Sequence, residues 1–272
     1  MTSTSQGLPT DRVKVAVVQM ASVPGEVAEN VDRLVALIEE YGPEVDLVVA
    51  PELATIGYDL DVLADRGAAL AEPADGATGT RLQEVAARVG ATLVVGFLER
   101  DGEQLYDSLL MVSPDGPLGV YRKSHLYPPE LAVFAAGETL GVVETPVGVI
   151  GPFVCFEHAF PEVATTLALA GAQILVIPSA VPLDYEHLIH LRTRARAQDN
   201  QVFAIGCNMT GHGMAGRSLV ADPRGGVLAE AGEEPTVLMV ELDLAASRSE
   251  RGREPSLQMR RPELYSPPNG EQ

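Results

Sequence analysis

Tryptophan is absent from this chain of 272 residues, and cysteine occurs only twice, at Cys155 and Cys207. Two cysteines make no disulfide framework. With five histidines they also fall short of a metal-ligand cluster, so no metal is expected. No apolar run reaches the roughly 18 residues a membrane span needs, which removes the membrane as a partner. Cations are scarce too: 19 Lys and Arg face 38 Asp and Glu, for a formal net charge of −19. Binding a phosphate backbone needs clustered Lys and Arg, so nucleic acid is excluded. The opening MTSTSQGLPTDR lacks a basic start and an apolar stretch, and reads as a short disordered tail over 1–11, not a secretory leader. A cytoplasmic location is the default expectation.

What is present is ordinary globular composition, 46% apolar and 21% charged, enough for a sizeable core. Among the 19 basic residues only Lys14 and Lys123 are lysine. Where arginine serves almost everywhere, a lysine in mid-chain marks a place needing a compact ammonium instead of a planar fork. Lys14 opens a strand and reads as a surface charge, which leaves Lys123.

Near-continuous apolar runs predict strands at 13–20, 45–52, 92–99, 108–113, 148–155, 173–179, 202–208, 217–222 and 236–242. Helical periodicity appears over 26–41, 78–89, 161–170 and 185–200, the first with Val27, Val31, Leu34, Leu37 and Ile38 on one stripe. Alternating strands and helices indicate an α/β layered fold. Two adjacent strands around a turn at Asp101-Gly102 break the alternation, so the sheet should be mixed. One domain is expected over 12–245. The polar extension 246–272 is expected to pack on the domain or on a partner subunit.

Reactive groups in open α/β folds collect beyond the carboxyl ends of strands. Here one run ends at Pro51-Glu52, another leads into Tyr121-Arg122-Lys123, and a third ends at Cys155. A thiol that attacks, a carboxylate that moves protons and an ammonium that holds negative charge suffice for amide hydrolysis. Taken alone, Cys155 reads as a buried structural thiol, as Cys207 does, and Glu52 and Lys123 have bland readings as a helix-start charge and a loop cation. His125 leaves a Cys–His pair open as an alternative.

Together, PELATIGYD (51–59), YRKSHLYPPE (121–130) and CFEHAFPE (155–162) resemble the nitrilase, or carbon–nitrogen hydrolase, superfamily. The order Glu, Lys, Cys agrees. So do the opening VAVVQM, Phe134-Ala-Ala-Gly137, RARAQDNQVFAIGCN (194–208) and RRPELY (260–265). The resemblance implies a four-layer αββα sandwich with mixed sheets and a Glu52–Lys123–Cys155 triad between them. It implies Cys155 as nucleophile through a thioester, Glu52 as general base, and Lys123 with the Phe156 N–H as oxyanion holder. Glu130, seven residues after Lys123, fits an auxiliary acid–base or positioning role, His125 becomes structural, and the resemblance implies no metal or organic cofactor.

Within that superfamily, Cys155-Phe156-Glu157 leans toward nitrilases, whereas Phe160-Pro161-Glu162, the short chain and the missing tryptophan lean toward amidases. Amide hydrolysis is the primary expectation. Nitrile or N-carbamoyl amide hydrolysis on the same triad is the alternative, and a catalytically silent interaction protein is the reading from another class. Tyr58, Phe156, Ala180 and the rest of 179–187 are expected to line the pocket. No arginine lies in 179–187, so a small neutral or aliphatic amide is expected as substrate. Arg192, Arg194 and Arg196 read as a solvated or dimer-facing stripe. A homodimer or larger homo-oligomer is expected, paired through 161–170 and 185–200.

Overall fold

In the computed structural model, which describes residues 11–265, the apolar runs form two six-stranded sheets. Most of the tail expected at 1–11, and the end of the extension, lie outside the described residues. The first sheet contains β1 (Arg12–Gln19), β2 (Leu47–Val49), β3 (Thr92–Asp101), β4 (Gln104–Ser113), β5 (Gly116–Arg122) and β14 (Thr236–Asp243). The second contains β6 (Val143–Thr145), β7 (Gly148–Pro152), β8 (Ile174–Ser179), β9 (Phe203–Asn208), β12 (Leu219–Ala221) and β13 (Val227–Glu230). A small separate ribbon pairs β10 (Thr210–Gly211) with β11 (Met214–Ala215). Among the described residues six α-helices complete the fold: α1 (Val27–Tyr41), α2 (Leu60–Leu70), α3 (Ala77–Val89), α4 (Pro161–Leu169), α5 (Glu186–Asn200) and α6 (Leu244–Arg253).

The orders β14-β1-β2-β3-β4-β5 and β6-β7-β8-β9-β12-β13 share one pattern. Each has an antiparallel edge strand, three parallel strands, then two antiparallel ones. The mixed sheets expected from 91–122 are thus present in both halves.

Strand alternation sends side chains to two interfaces. Val13, Val15, Val17, Leu47, Val49 and Leu109 join Ile150, Phe153 and Val176 in the core between the sheets. Their neighbours Ala16, Val18, Val48, Leu93 and Val95 pack outward under Leu34 and Ile38 of α1 and Leu82 and Val85 of α3. On the other side Val163 and Leu167 of α4 and Ala197 of α5 cover the second sheet. The result is helix, sheet, sheet, helix: a four-layer αββα sandwich.

Besides the short strands β6, β10, β11 and β13, which the sequence reading did not include, three longer elements depart from it. β5 is concealed by Gly116 and Gly119, at φ 149° and 141°, which break the apolar pattern. α2 carries a weak stripe but has a true N-cap, Asp59, which accepts from the Asp61 and Val62 N–H groups at 3.1 and 3.0 Å. α6 is polar almost throughout; only Leu244 and Ser247 are buried. Beyond it Leu257 is buried in the apolar cluster that also holds Val163 and Leu167 of α4 and Ala197 of α5. No helix among the described residues is long and apolar enough to cross a membrane.

Candidate active site

The strand ends are shorter than the apolar runs suggest, and this places the reactive groups on turns. β2 stops at Val49. Pro51-Glu52 then turn away, with Leu53 left-handed at φ 46°. Gly96 of β3 lies against this turn: its N–H donates to Pro51 O at 3.2 Å, and a Cβ there would sit 2.2 Å from that oxygen. β7 likewise stops at Pro152, and Cys155 opens a short 3-10 turn at φ 41°. A non-glycine residue in the left-handed region is strained, and here it turns the thiol out of the sheet. Lys123 follows β5, held by its N–H to Asp107 O at 2.9 Å and its carbonyl to the Gly137 N–H at 2.8 Å.

The lysine side chain is fully buried and central. Its Nζ donates to Glu52 Oε1 at 2.5 Å, Glu130 Oε1 at 2.8 Å and Asp107 Oδ2 at 3.1 Å. Three carboxylates converge as they would around a metal ion, but the cation among them is the ammonium of Lys123. Burial opposes that charge, yet the carboxylates, Glu52 foremost and Asp107 next, outweigh it and hold Lys123 well above its usual range. Burial raises the Asp107 carboxyl; Lys123 opposes and Glu52 reinforces, and the carboxyl ends well above the usual carboxylate range. Glu52 Oε2 and Asp107 Oδ1 have no other partner among the described residues. A proton kept on Asp107 lets it donate to Glu52.

Glu130 is oriented from three sides, by Lys123, by the Tyr58 hydroxyl at 2.7 Å and by the Tyr127 N–H at 2.8 Å. Cys155 is half-buried and faces a cavity of about 290 Å³. Burial, then Glu52, pushes its thiol well above the usual range; Lys123 and the Ala180 N–H pull the other way. The resting sulfur is therefore a thiol that needs a base. Tyr58, Glu130, Phe156 and Ala180 all line this cavity. Asn208 steadies the Ala180 loop, accepting from the Val181 N–H at 2.8 Å and donating to Val181 O at 3.2 Å.

His125 lies elsewhere. Its Nδ1 meets Ser124 Oγ at 2.8 Å, and its ring packs on Phe160 with centroids 4.4 Å apart. Glu157 is buried and tied to Tyr121, Ser124 and the Val154 N–H, not turned to the cavity. Cys207 is fully buried between Val18 O and Val49 O. The three arginines of α5 do not form a stripe: Arg194 binds Gly225 O, Arg196 is nearly buried beside Asp199, and Arg192 lines the cavity. Sequence reasoning missed Asp107, Tyr127 and Arg192.

The profile of the carbon–nitrogen hydrolase family matches residues 14–251. An (R)-stereoselective amidase of Pseudomonas sp. is 32% identical over 244 residues, covering 88% of each chain. A nitrilase of Pyrococcus abyssi is 35% identical, covering 88% of this chain and 93% of its own. The crystal structure of Saccharomyces cerevisiae Nit3, a member of branch 10 of the nitrilase superfamily, superposes with a TM-score of 0.84 at 31% identity, over 92% of this chain and 97% of that one. Fold, cavity and sequence thus agree: this chain belongs to the carbon–nitrogen hydrolase family of the nitrilase superfamily, as an amidase-like member.

Proposed function

We propose that the protein hydrolyses the C–N bond of a small linear amide through a thioester on Cys155, releasing ammonia and a carboxylic acid. The observation that carries this reading is the convergence of Glu52 and Glu130 on the Lys123 ammonium, at 2.5 and 2.8 Å, with Glu130 and Cys155 on the wall of one cavity. Glu52 takes the thiol proton as the sulfur attacks the amide carbon. Lys123 and the Phe156 N–H hold the oxyanion. The proton passes to the leaving nitrogen, the C–N bond breaks and ammonia departs. Water then gives a proton to Glu52 while its oxygen attacks the thioester carbon. The C–S bond breaks, the sulfur recovers the proton and the acid leaves. Glu130, fixed by Tyr58 and Tyr127, positions Lys123 and the substrate amide.

Amidase is favoured over nitrilase because Glu157, the residue that leaned toward nitrilases, is fully engaged in binding the lysine loop. A silent protein of this fold would have no need to keep a buried ammonium among three carboxylates. Ammonia release from a panel of amides, nitriles and N-carbamoyl compounds tests the preference. Mass spectrometry of the trapped enzyme tests the mechanism: acylation is expected on Cys155, and acylation of Cys207, or full activity in Cys155→Ala, overturns it.

The same reading includes self-association through α4 and α5, where Leu169 and Leu191 are 53% and 62% exposed. Size-exclusion chromatography with light scattering is expected to give a multiple of the 28.8 kDa chain mass; the monomer mass overturns it.

A further inference from the structure

On the cavity wall stands one buried titratable group that the proposed chemistry leaves idle. His158 lies three residues after the nucleophile, in the same 3-10 turn, and is 2% exposed. Burial, then Arg192 and Arg196, pulls it down to about 3, so the ring is neutral. A buried neutral imidazole has one donor and one acceptor, and each needs a partner. The ring hydrogen-bonds the Cys155 backbone in a contact that favours ring protonation. A carbonyl acceptor has that effect, so the ring N–H donates to Cys155 O. Nε2 meets the hydroxyl of Thr193, fully buried on α5, at 3.4 Å, and there it accepts. Phe153 closes on the ring edge-to-face, with centroids 5.6 Å apart, and fixes its plane.

Cys155 is where such an anchor matters. Its φ of 41° is one that a residue with a side chain keeps only when its surroundings impose it. Glu157 fixes the residue before, by taking the Val154 N–H at 2.7 Å. The peptide after Cys155 joins its carbonyl to the Phe156 N–H, and in a planar trans peptide the two point in opposite directions. Whatever holds the carbonyl therefore aims the N–H. A flip of this peptide would set an oxygen where the oxyanion needs a donor. We propose that His158 is a positioning residue for the oxyanion hole. By tying Cys155 O to Thr193 of α5, it turns the Phe156 N–H into the cavity and keeps the thiol out of the sheet. This rests on the amidase reading, in which that N–H and Lys123 hold the oxyanion.

Two measurements separate this inference from the reading beneath it. The first is ammonia release from butyramide. His158→Leu fills the site with neither donor nor acceptor, and kcat is expected to fall roughly 10- to 100-fold while KM stays within about twofold. His158→Asn, whose amide can still donate to Cys155 O, is expected to recover most of that loss. Thr193→Val removes the hydroxyl and keeps the shape; it is expected to lower kcat by less, and to add nothing on top of His158→Leu. Should His158→Leu fail to fold, the Asn and Val variants decide by the same criteria. An unchanged kcat in His158→Leu, a loss carried by KM, or His158→Asn as slow as His158→Leu overturns the inference. The second measurement is the crystal structure of His158→Leu. Cys155 is expected to leave the left-handed region and the Cys155–Phe156 peptide to rotate; an unmoved peptide overturns the inference. A rotated peptide in a protein whose wild type releases no ammonia from butyramide upholds the role of His158 in shaping the turn and overturns the amidase reading instead.

Discussion

The carboxylate of Glu157 accepts a hydrogen bond from Ser124 Oγ at 2.5 Å. That contact spans the gap between the cysteine turn and the lysine loop. The same carboxylate takes the Val154 N–H at 2.7 Å, the Ser124 N–H at 3.0 Å and the Tyr121 hydroxyl at 2.7 Å. One buried acceptor therefore fixes Cys155 and Lys123, each one residue from an atom it binds. Glu157→Gln replaces an all-acceptor group with one that turns N–H donors toward other donors. It is expected to cost about 1–3 kcal/mol, and the slackened geometry to lower kcat up to roughly 100-fold. Denaturant unfolding and steady-state turnover check both; wild-type values for both remove the positioning role.

Asp107 is a second support, and its protonation gives a pH signature. Because its folded carboxyl titrates well above the ordinary range, the folded state holds one proton more than the unfolded chain over a window of pH. That window opens near the unfolded Asp value of about 3.9 and closes at the raised folded value. Through it, stability falls as pH rises. Asp107→Asn removes that contribution, and its neutral amide can still accept from Lys123 and donate to Glu52. The variant is expected to keep most of its turnover and to show a flatter stability–pH curve in urea. Asp107→Leu, which can do neither, is expected to lose roughly 100-fold in turnover. A collapse of activity in Asp107→Asn would mean that Asp107 works as an anion.

Glu52, Lys123 and Cys155 were legible because each lies in a motif with a charge or thiol at the end of an apolar run. Asp107 was not, for a reason of one residue: the apolar pattern begins at Ser108, whereas β4 begins at Gln104. Continuing the alternation backward from Met111 and Leu109, both in the inter-sheet core, would have reached it. Arg192 was hidden differently. α5 has so many polar residues that its buried face, Ile189, Thr193, Arg196, Ala197 and Asn200, carries almost no hydrophobic signal. Arg192 lies three residues after Ile189 and four before Arg196, hence on the edge of that face. The layers were legible from alternating strands and helices, but the pairing of two sheets with matching strand patterns rests on contacts between distant segments.

Gly137, a satellite of the lysine motif, has a packing reason that can be tested far from the cavity. Its N–H donates to Lys123 O, and a Cβ at this position would lie 2.2 Å from Arg122 O. Gly137→Ala must push the backbone away from the strand end that delivers Lys123. A loss of about 1–3 kcal/mol is expected, with turnover falling as the ammonium shifts from Glu52. Gly141→Ala is the control, since nothing lies within 4 Å of a Cβ there. Equal behaviour of the two variants in thermal unfolding and turnover refutes the packing argument.

The Cys–His alternative makes the opposite prediction from the Glu52 mechanism at one residue. His125 directs Nδ1 to Ser124 and stacks its ring on Phe160, so its imidazole is committed to the lysine loop. His158, the histidine on the cavity wall, titrates at about 3. A base that weak cannot draw a proton from a thiol whose own range is raised. His125→Ala is therefore expected to form the acyl-enzyme on Cys155, detectable by mass spectrometry, with turnover lowered only through disturbance of Ser124 and Phe160. Glu52→Gln, which keeps the shape and removes the base, is expected to form none. If the pattern were reversed, with acylation lost in His125→Ala and kept in Glu52→Gln, the proton would have to travel through the imidazole, and Glu52 would serve only to hold Lys123 in place.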